Sequence, residues 1–417
     1  MTPMMAQFLE IKAEYPSALL FYRMGDFYEL FFDDAIAAAE ALDIALTKRG
    51  KHDGDDIPMC GVPVHSAEGY LLSLIRKGFR VAVCEQLEDP KEAKKRGSKS
   101  VVKRGVVRLV TPGTLTEDSL LNPKKSNYLA AYGVIRDQGC LAWVDISTGD
   151  VRYMACPPVR LGPELARLMP SELLISDTLS KTVAGIADEA NITTTEVFQD
   201  LFNSATAPDR LKEAYCDFDT TPLDRTAVSA LGALIEYLSQ TQKGQMPLLR
   251  HPVPEQANAF VSIDPATRRS LELVETLAGD RKGSLLDAVD QTVTATGSRL
   301  LTQRVMAPSQ RIDTITARLA AVDYMFQNHS TRDAVRTTLK SIPDMERALA
   351  RLALGRGGPR DLVAIKTAAE QAAIARDLIM GQDCPDLIQT LCADLQGFDA
   401  LTAGLHQALS DTPPLIA

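Results

Sequence analysis

Apolar side chains fall in short runs along the first part of the chain and at helical spacing along the last part. Leu19–Tyr22 is an apolar run, Gly25-Asp26 interrupts, and Phe27–Phe32 resumes it, which predicts a hairpin or tight strand pair. Upstream, Thr2 followed by Pro3 reads as an N-cap and first helical residue, opening a helix that stops before Pro16. Downstream, Asp33 and Asp34 sit at the mouth of the Ala-rich AIAAAEALDIAL, where the positive end of a helix favours acids. Lys51–Asp56 reads as a polar loop. Ser66 caps a helix to Lys77 with Leu71, Leu74 and Ile75 turned inward, and Gly78 ends it. Arg80–Gln86 reads as a buried strand, with Val106–Thr111 as its neighbour. Together these elements predict a mixed α/β domain over residues 1–112.

Residues 113–127, inside the turn-rich and charged stretch Thr111–Asn127, read as a linker. Residues 128–252 then read as a second domain. Two β runs joined at Asp137-Gln138-Gly139, and a third after Ser147-Thr148-Gly149, predict an antiparallel meander, followed by helices and short strands such as Glu172–Ser176. The lone Trp143 reads as a core or strand-face residue. Residues 258–417 read as helix after helix, punctuated by Pro343 and by Gly355–Pro359. There Ile312, Ile315, Leu319, Val322 and Phe326 recur at spacings of three and four and are expected to be core. The fold class is thus multidomain: α/β units followed by an all-α region.

Composition adds a contradiction. With 45 Lys and Arg against 54 Asp and Glu in 417 residues, the formal charge is −9, a poor prior for a nucleic-acid binder, because affinity for phosphates comes from basic side chains. Yet Lys91–Arg108 carries eight basic residues and one acid. Alone it reads as a solvated loop; beside a DNA-binding domain it reads as a phosphate-contacting one. The seven cysteines include no CxxC pair and lie near no His-rich segment, which argues against zinc or a disulfide framework and suits a reducing compartment. The polar N-terminus gives no signal peptide, and no stretch reaches the roughly 18 apolar residues of a membrane span. A cytoplasmic protein is expected.

The candidate chemistry lies in the hairpin. If Phe27, Tyr28 and Glu29 are extended, Phe27 and Glu29 share one side of the strand. A Phe-x-Glu in isolation is most often a core ring beside a solvated acid. Here the run LLFYRMGDFYELFFDDA (Leu19 to Ala35) is followed by LTKRG (Leu46 to Gly50), IPMCGVPVHSAEGYL (Ile57 to Leu71), VAVCEQLEDP (Val81 to Pro90) and VVRLVTPGT (Val106 to Thr114). This series resembles the N-terminal domain of the bacterial MutS mismatch-recognition family. The resemblance continues through ATRRSLEL (Ala266 to Leu273), GSLLDAVDQTVTATGSRLL (Gly283 to Leu301) and RLALGRGGPRDL (Arg351 to Leu362), in order and over nearly the whole chain.

The resemblance implies that Phe27 and Glu29 probe a mispaired base, the ring by insertion and the carboxylate by hydrogen bonding, with Met24 and Asp26 shaping the wedge. It implies a ribonuclease-H-like connector over 128–252 and the first part of a helical lever from 258. The implied partners are mismatched or looped duplex DNA, a second MutS copy and MutL. ATP and magnesium belong to an ATPase domain, and no GxxxxGK followed by Ser or Thr occurs in these residues. Gly279–Ser284 is glycine-rich and basic but wrongly ordered for that role. The chain is therefore expected to be the N-terminal half of a longer protein, with no catalytic residue, cofactor or metal of its own. Lys48 and Arg49, with Lys94, Lys95, Arg96, Lys99, Lys103 and Arg104, are the candidate DNA-backbone contacts.

An aromatic wedge suits a sensor that must accept any mismatch, because a mispaired step is cheaper to kink than a matched one. Burial and nearby phosphates would raise the pKa of Glu29, so partial protonation in the complex is expected. Two other readings stand beside this one. A metal-dependent nuclease would need carboxylates around Asp145, but the adjacent strands Asn127–Ile135 and Val151–Ala155 supply none, and Asp150 lies in the turn. A protein-docking scaffold would use the basic loop and the helices as its surfaces.

Overall fold

The computed structural model describes residues 2–52, 54–97, 100–256, 258–380 and 383–410, and the backbone alone for Lys94 and Ser180. The chain divides into two compact units, Met1–Leu115 with Ala233–Met246, and Thr116–Gly232 with Pro247–Ala417.

In the first unit, Thr2 accepts a hydrogen bond from the Met5 amide at 3.3 Å and starts α1 (Pro3–Glu14). β1 (Leu19–Met24) and β2 (Phe27–Phe31) form the expected hairpin, with Gly25 at φ +61° supplying the left-handed turn residue. α2 (Phe32–Leu42) carries Asp33 and Asp34 in its first turn. Asp34 is buried and does more than answer the helix dipole: it accepts from the Leu20 amide at 2.9 Å and pairs with Lys12 at 2.8 Å. There follow β3 (Thr47–His52), β4 (Asp55–Pro63), α3 (Ala67–Arg76), β5 (Val81–Gln86), α4 (Pro90–Lys95) and β6 (Arg104–Val110).

Among the described residues these strands form one sheet in the order β3-β4-β2-β1-β5-β6, with β1 and β5 parallel and the other pairs antiparallel. On one face α1 lays Phe8 between Tyr22 and Phe31, edge-on at 5.5 and 5.0 Å. Lys51, His52, Asp55 and Asp56 are not the plain loop expected but paired ends of β3 and β4, with Gly54 at φ +98° beside them. The polar character of Lys48–Asp56 concealed them, because β3 is exposed on both faces and shows no apolar alternation.

The second unit opens with the expected meander: β7 (Tyr128–Ile135), β8 (Gln138–Asp145) and β9 (Asp150–Ala155). Its first turn lies at Arg136-Asp137 (φ +57° at Arg136), slightly earlier than Asp137–Gly139. α5 (Pro158–Leu168), β10 (Glu172–Ser176), α6 (Ser180–Glu189), β11 (Thr194–Val197), α7 (Ala207–Ala214), α8 (Arg225–Thr241), of which residues 225–232 fall in this unit, and β12 (Val253–Pro254) come next. The sheet order is β11-β10-β7-β8-β9-β12, with the three added strands parallel to their neighbours. Trp143, 1% exposed, is core as expected, packed with Leu141, Leu165 and Leu173. Helices follow: α9 (Pro265–Ser270), α10 (Leu285–Val289), α11 (Ala295–Met306), α12 (Ile312–Gln327), α13 (His329–Leu339), α14 (Met345–Ala353), α15 (Pro359–Asp377), α16 (Asp386–Ala393) and α17 (Asp399–Ala408).

Two expectations need correction. Residues 113–127 are not a solvated linker: Leu115, Thr116, Leu120 and Leu121 are buried. Buried arginines hold the backbone beyond them, Arg347 donating to the carbonyls of Asn122 (3.1 Å) and Lys125 (2.9 Å) and Arg299 to that of Pro123 (3.0 Å). Nor is the α12 stripe core. Its five residues are 39% (Ile315) to 77% (Ile312) exposed. The helix instead packs Ala321, Tyr324 and Met325 against Ile379, Ile388 and Cys392. Spacing identifies an apolar face, not the element that covers it.

Candidate nucleic-acid interface

Phe27 is the first residue of β2, paired with Met24 of β1 and Pro63 of β4, while Glu29 pairs with Tyr22 and Gly61. Directly opposed residues of antiparallel strands point the same way. Phe27, Glu29 and Phe31 therefore share the face that α1 covers, but the helix shields only Phe31. The Phe27 ring is 46% exposed, against 7% for Tyr28 on the opposite face. A Cβ on Gly61 would touch both the Glu29 and Phe27 side chains, at 3.7 and 3.8 Å. With glycine there, the two side chains lie beside bare backbone.

The turn that presents the ring is braced. Arg23 Nε donates to the Gly25 carbonyl at 2.5 Å, and the Asp26 carbonyl accepts from the Val64 amide at 2.9 Å. Tyr28 donates its hydroxyl to Glu85. Burial first, and that bond second, push the Tyr28 phenol up to about 12, so it stays a donor at physiological pH. A ring carried on so braced a turn has little backbone freedom left to lose on contact with a partner.

Glu29 is not bare either. Arg49 pairs with its carboxylate, whose side chain is 15% exposed. The pairing of β3 with β4 is regular at Lys48 and again at Lys51 but shifts register between them, so Arg49 and Gly50 (φ +73°) form a bulge. Bulges re-aim side chains, and this one turns Arg49 across β4 to Glu29. A partly exposed pair contributes about 0 to 1 kcal/mol, so it orients the carboxylate yet can be displaced.

The basic candidates separate in place. Lys48 lies in β3, strongly exposed and 2.7 Å from Asp56, whose hydrogen bond raises its pKa. Arg104 points inward, donating to the Arg23 carbonyl at 2.7 Å and lying 4.8 Å over the Tyr22 ring; its donors serve the base of the hairpin. Arg96 grips Glu88 with two bonds of 2.5 Å, which pull that carboxyl down to about 2. Lys95 and Lys103 are exposed. Lys99, and the side chain of Lys94, lie outside the described residues. Sequence reasoning missed two things: Arg49 as the partner of Glu29, and Gly61 as the floor beside both. The glycine after Arg49 was the available signal, since an isolated Gly in a strand marks a bulge.

In the second unit Asp145 is 2% exposed and fully engaged. Its carboxylate accepts from the Ser147 amide (3.0 Å) and hydroxyl (2.6 Å) and from the Asn127 amide (3.0 Å). Among the described residues no three His, Cys, Asp or Glu side chains converge as a metal site, so the nuclease reading finds no ligand set. No described helix is long and apolar enough to cross a membrane.

Family models cover the chain in sequence: MutS domain I over residues 2–119, MutS domain II over 127–250 and MutS domain III over 266–416. The α/β, α/β and helical regions thus define the class as the first three domains of one multidomain architecture. The DNA mismatch repair protein MutS of Ruegeria pomeroyi is 57% identical over 422 residues, covering 100% of this chain and 48% of that protein. Those of Ruegeria sp. and Roseobacter denitrificans are 56% and 54% identical over 423 residues, with the same coverage. The chain belongs to the MutS family, and spans about half the length of the curated relatives it matches.

Proposed function

We propose that this chain recognises mispaired or looped duplex DNA for mismatch repair, with Phe27 as the wedge and Glu29 as the group that hydrogen-bonds the displaced base. The observation that carries the reading is the half-exposed Phe27 ring on a braced turn, one residue pair from a shielded carboxylate. Unstacking a step costs roughly a few kcal/mol, less where pairing is already defective. Base–aromatic stacking returns roughly 1–3 kcal/mol. The balance is favourable only at a mismatch. Discrimination arises from the resistance of matched DNA, not from reading a base sequence.

Glu29 must approach phosphates, and Arg49 supplies the countercharge that lets it do so before any proton is taken up. On contact, the weak Arg49 pair yields to the base edge, and Arg49 is freed toward a phosphate. Lys48, Lys95 and Lys103 are the proposed backbone contacts that the structure leaves exposed. In the full-length protein we propose that recognition is coupled to ATP and magnesium in the remaining half, that two copies embrace the duplex, and that MutL is the downstream partner.

The test uses full-length protein and duplexes with and without a single mismatch, read by fluorescence anisotropy. Phe27→Ala is expected to lose roughly 1–3 kcal/mol of mismatch affinity, about fivefold to 150-fold, with matched binding unchanged. Retention of discrimination in Phe27→Ala would overturn the wedge. Unchanged mismatch affinity in both Glu29→Ala and Glu29→Gln would remove the role of the carboxylate.

A further inference from the structure

The second unit contains a cavity of about 630 Å³, set where Tyr128 of β7 and Trp143 of β8 meet α11 and α12. That volume is within the range of small-molecule sites. Its walls are rich in arginine, and most of that charge is answered internally. Arg152 pairs with Asp150 at 3.0 Å, Arg167 with Glu164 at 2.7 Å, Arg281 with Asp290 at 2.5 Å and Arg299 with Asp344 at 2.6 Å.

Two guanidiniums are not answered. Arg304 of α11 and Arg318 of α12 both line the cavity, and neither has a carboxylate or hydrogen-bond partner among the described residues. They are close enough to act on each other: burial, and then the charge of Arg318, lower the pKa of Arg304. Arg304 is exposed and Arg318 half-buried, so water screens part of their repulsion, and a bound anion would remove the rest. Around them Phe260, Leu300 and Met306 offer apolar wall.

We infer that this cavity is a binding site for a phosphate monoester with a small apolar body, the phosphate held between Arg304 and Arg318. The charge count favours phosphate over a monocarboxylate, since two unanswered cations match one dianion. Guanidinium forks also present paired donors to phosphate oxygens. The apolar walls would seat the organic group, so the free inorganic ion is not the preferred ligand. This site shares no residue with the Phe27 surface, and its ligand binding is separable from DNA recognition.

The test is isothermal titration of the 417-residue chain with phenyl phosphate, inorganic phosphate and phenol as separate probes. Saturable binding of phenyl phosphate is expected, at least about tenfold tighter than either fragment. It is expected to weaken at least about tenfold in the Arg304→Ala/Arg318→Ala double variant, and to persist in Arg332→Ala, whose arginine lies on α13 and is absent from the cavity. Should the double variant lose its circular-dichroism signature, Arg304→Gln and Arg318→Gln singly give the same readout. Absence of saturable phenyl phosphate binding to the parent chain overturns the inference. So does equal binding by the arginine variants, or equal affinity for inorganic phosphate.

Discussion

The chain contains two aromatic-x-acid strand pairs that meet opposite fates: Phe27-x-Glu29 on β2 and Trp143-x-Asp145 on β8. In both, period two puts the ring and the carboxylate on one face. Trp143 is 1% and Asp145 2% exposed, the ring in the interior and the acid fastening the turn to Ser147. Phe27 is 46% exposed, and its acid meets a displaceable arginine. In the first unit Phe8 of α1 packs on Tyr22 and Phe31, and beside the pair β4 offers only a glycine. The same local pattern is therefore architecture in one unit and a presented surface in the other. What differs is the cover supplied by neighbouring elements, which no short motif contains.

Stability measurements by chemical denaturation would break or sharpen that contrast. Trp143→Ala should cost roughly 3–5 kcal/mol, as for a buried aromatic ring, whereas Phe27→Ala should stay within about 0.5 kcal/mol. Comparable losses would mean that Phe27 is interior packing and would end the wedge reading. Next in size, Asp145→Ala strands buried amide and hydroxyl donors and should cost roughly 2 kcal/mol. Glu29→Ala should leave the DNA-free fold nearly untouched, and a cost as large as that of Asp145→Ala would erase the distinction between the acids. Smaller again, Arg49→Ala should change stability by no more than about 1 kcal/mol.

The least effect is one of pH and is given by sign alone. Burial raises the Asp145 carboxyl above its ordinary value, against the opposing bonds of Ser147 and Asn127. A raised folded pKa means a contribution fully present below the unfolded value of about 3.9 and lost as pH rises through the folded one. The stability gap between the parent chain and Asp145→Ala should therefore widen on acidification from neutral pH. A gap that narrows would show the carboxylate to be held as an anion.

Much of the first unit was legible because its signals are local. Thr2-Pro3 caps its helix with a side chain, and Gly25-Asp26 turns a chain flanked by apolar runs. β3 was illegible because an exposed edge strand has no core face to write in apolar residues. Arg104 was misplaced because a charge run discloses nothing about direction; only the fold shows one of its eight basic side chains turned under the hairpin. The α12 stripe failed for the converse reason. Its periodicity is real, but Ala321, Tyr324 and Met325 also form a packed side, and covering is a tertiary fact. Phe27 and Glu29 could be singled out from the sequence, while the Arg49 contact depended on a register shift invisible in residue types.

That register shift has a consequence for how the site could be altered. Arg49 and Gly50 stand opposite Ile57 alone, a surplus of one residue between two in-step stretches of β3 and β4. Deleting one would let the ladder close, with Lys48 still opposite Pro58 and Lys51 still opposite Asp56, and the residue left between them would take the regular strand alternation. The contact at Glu29 is thus encoded by residue count as well as by identity. Scanning the hairpin by substitution would sample only half of its vocabulary; shortening or lengthening it by a single residue would test the other half.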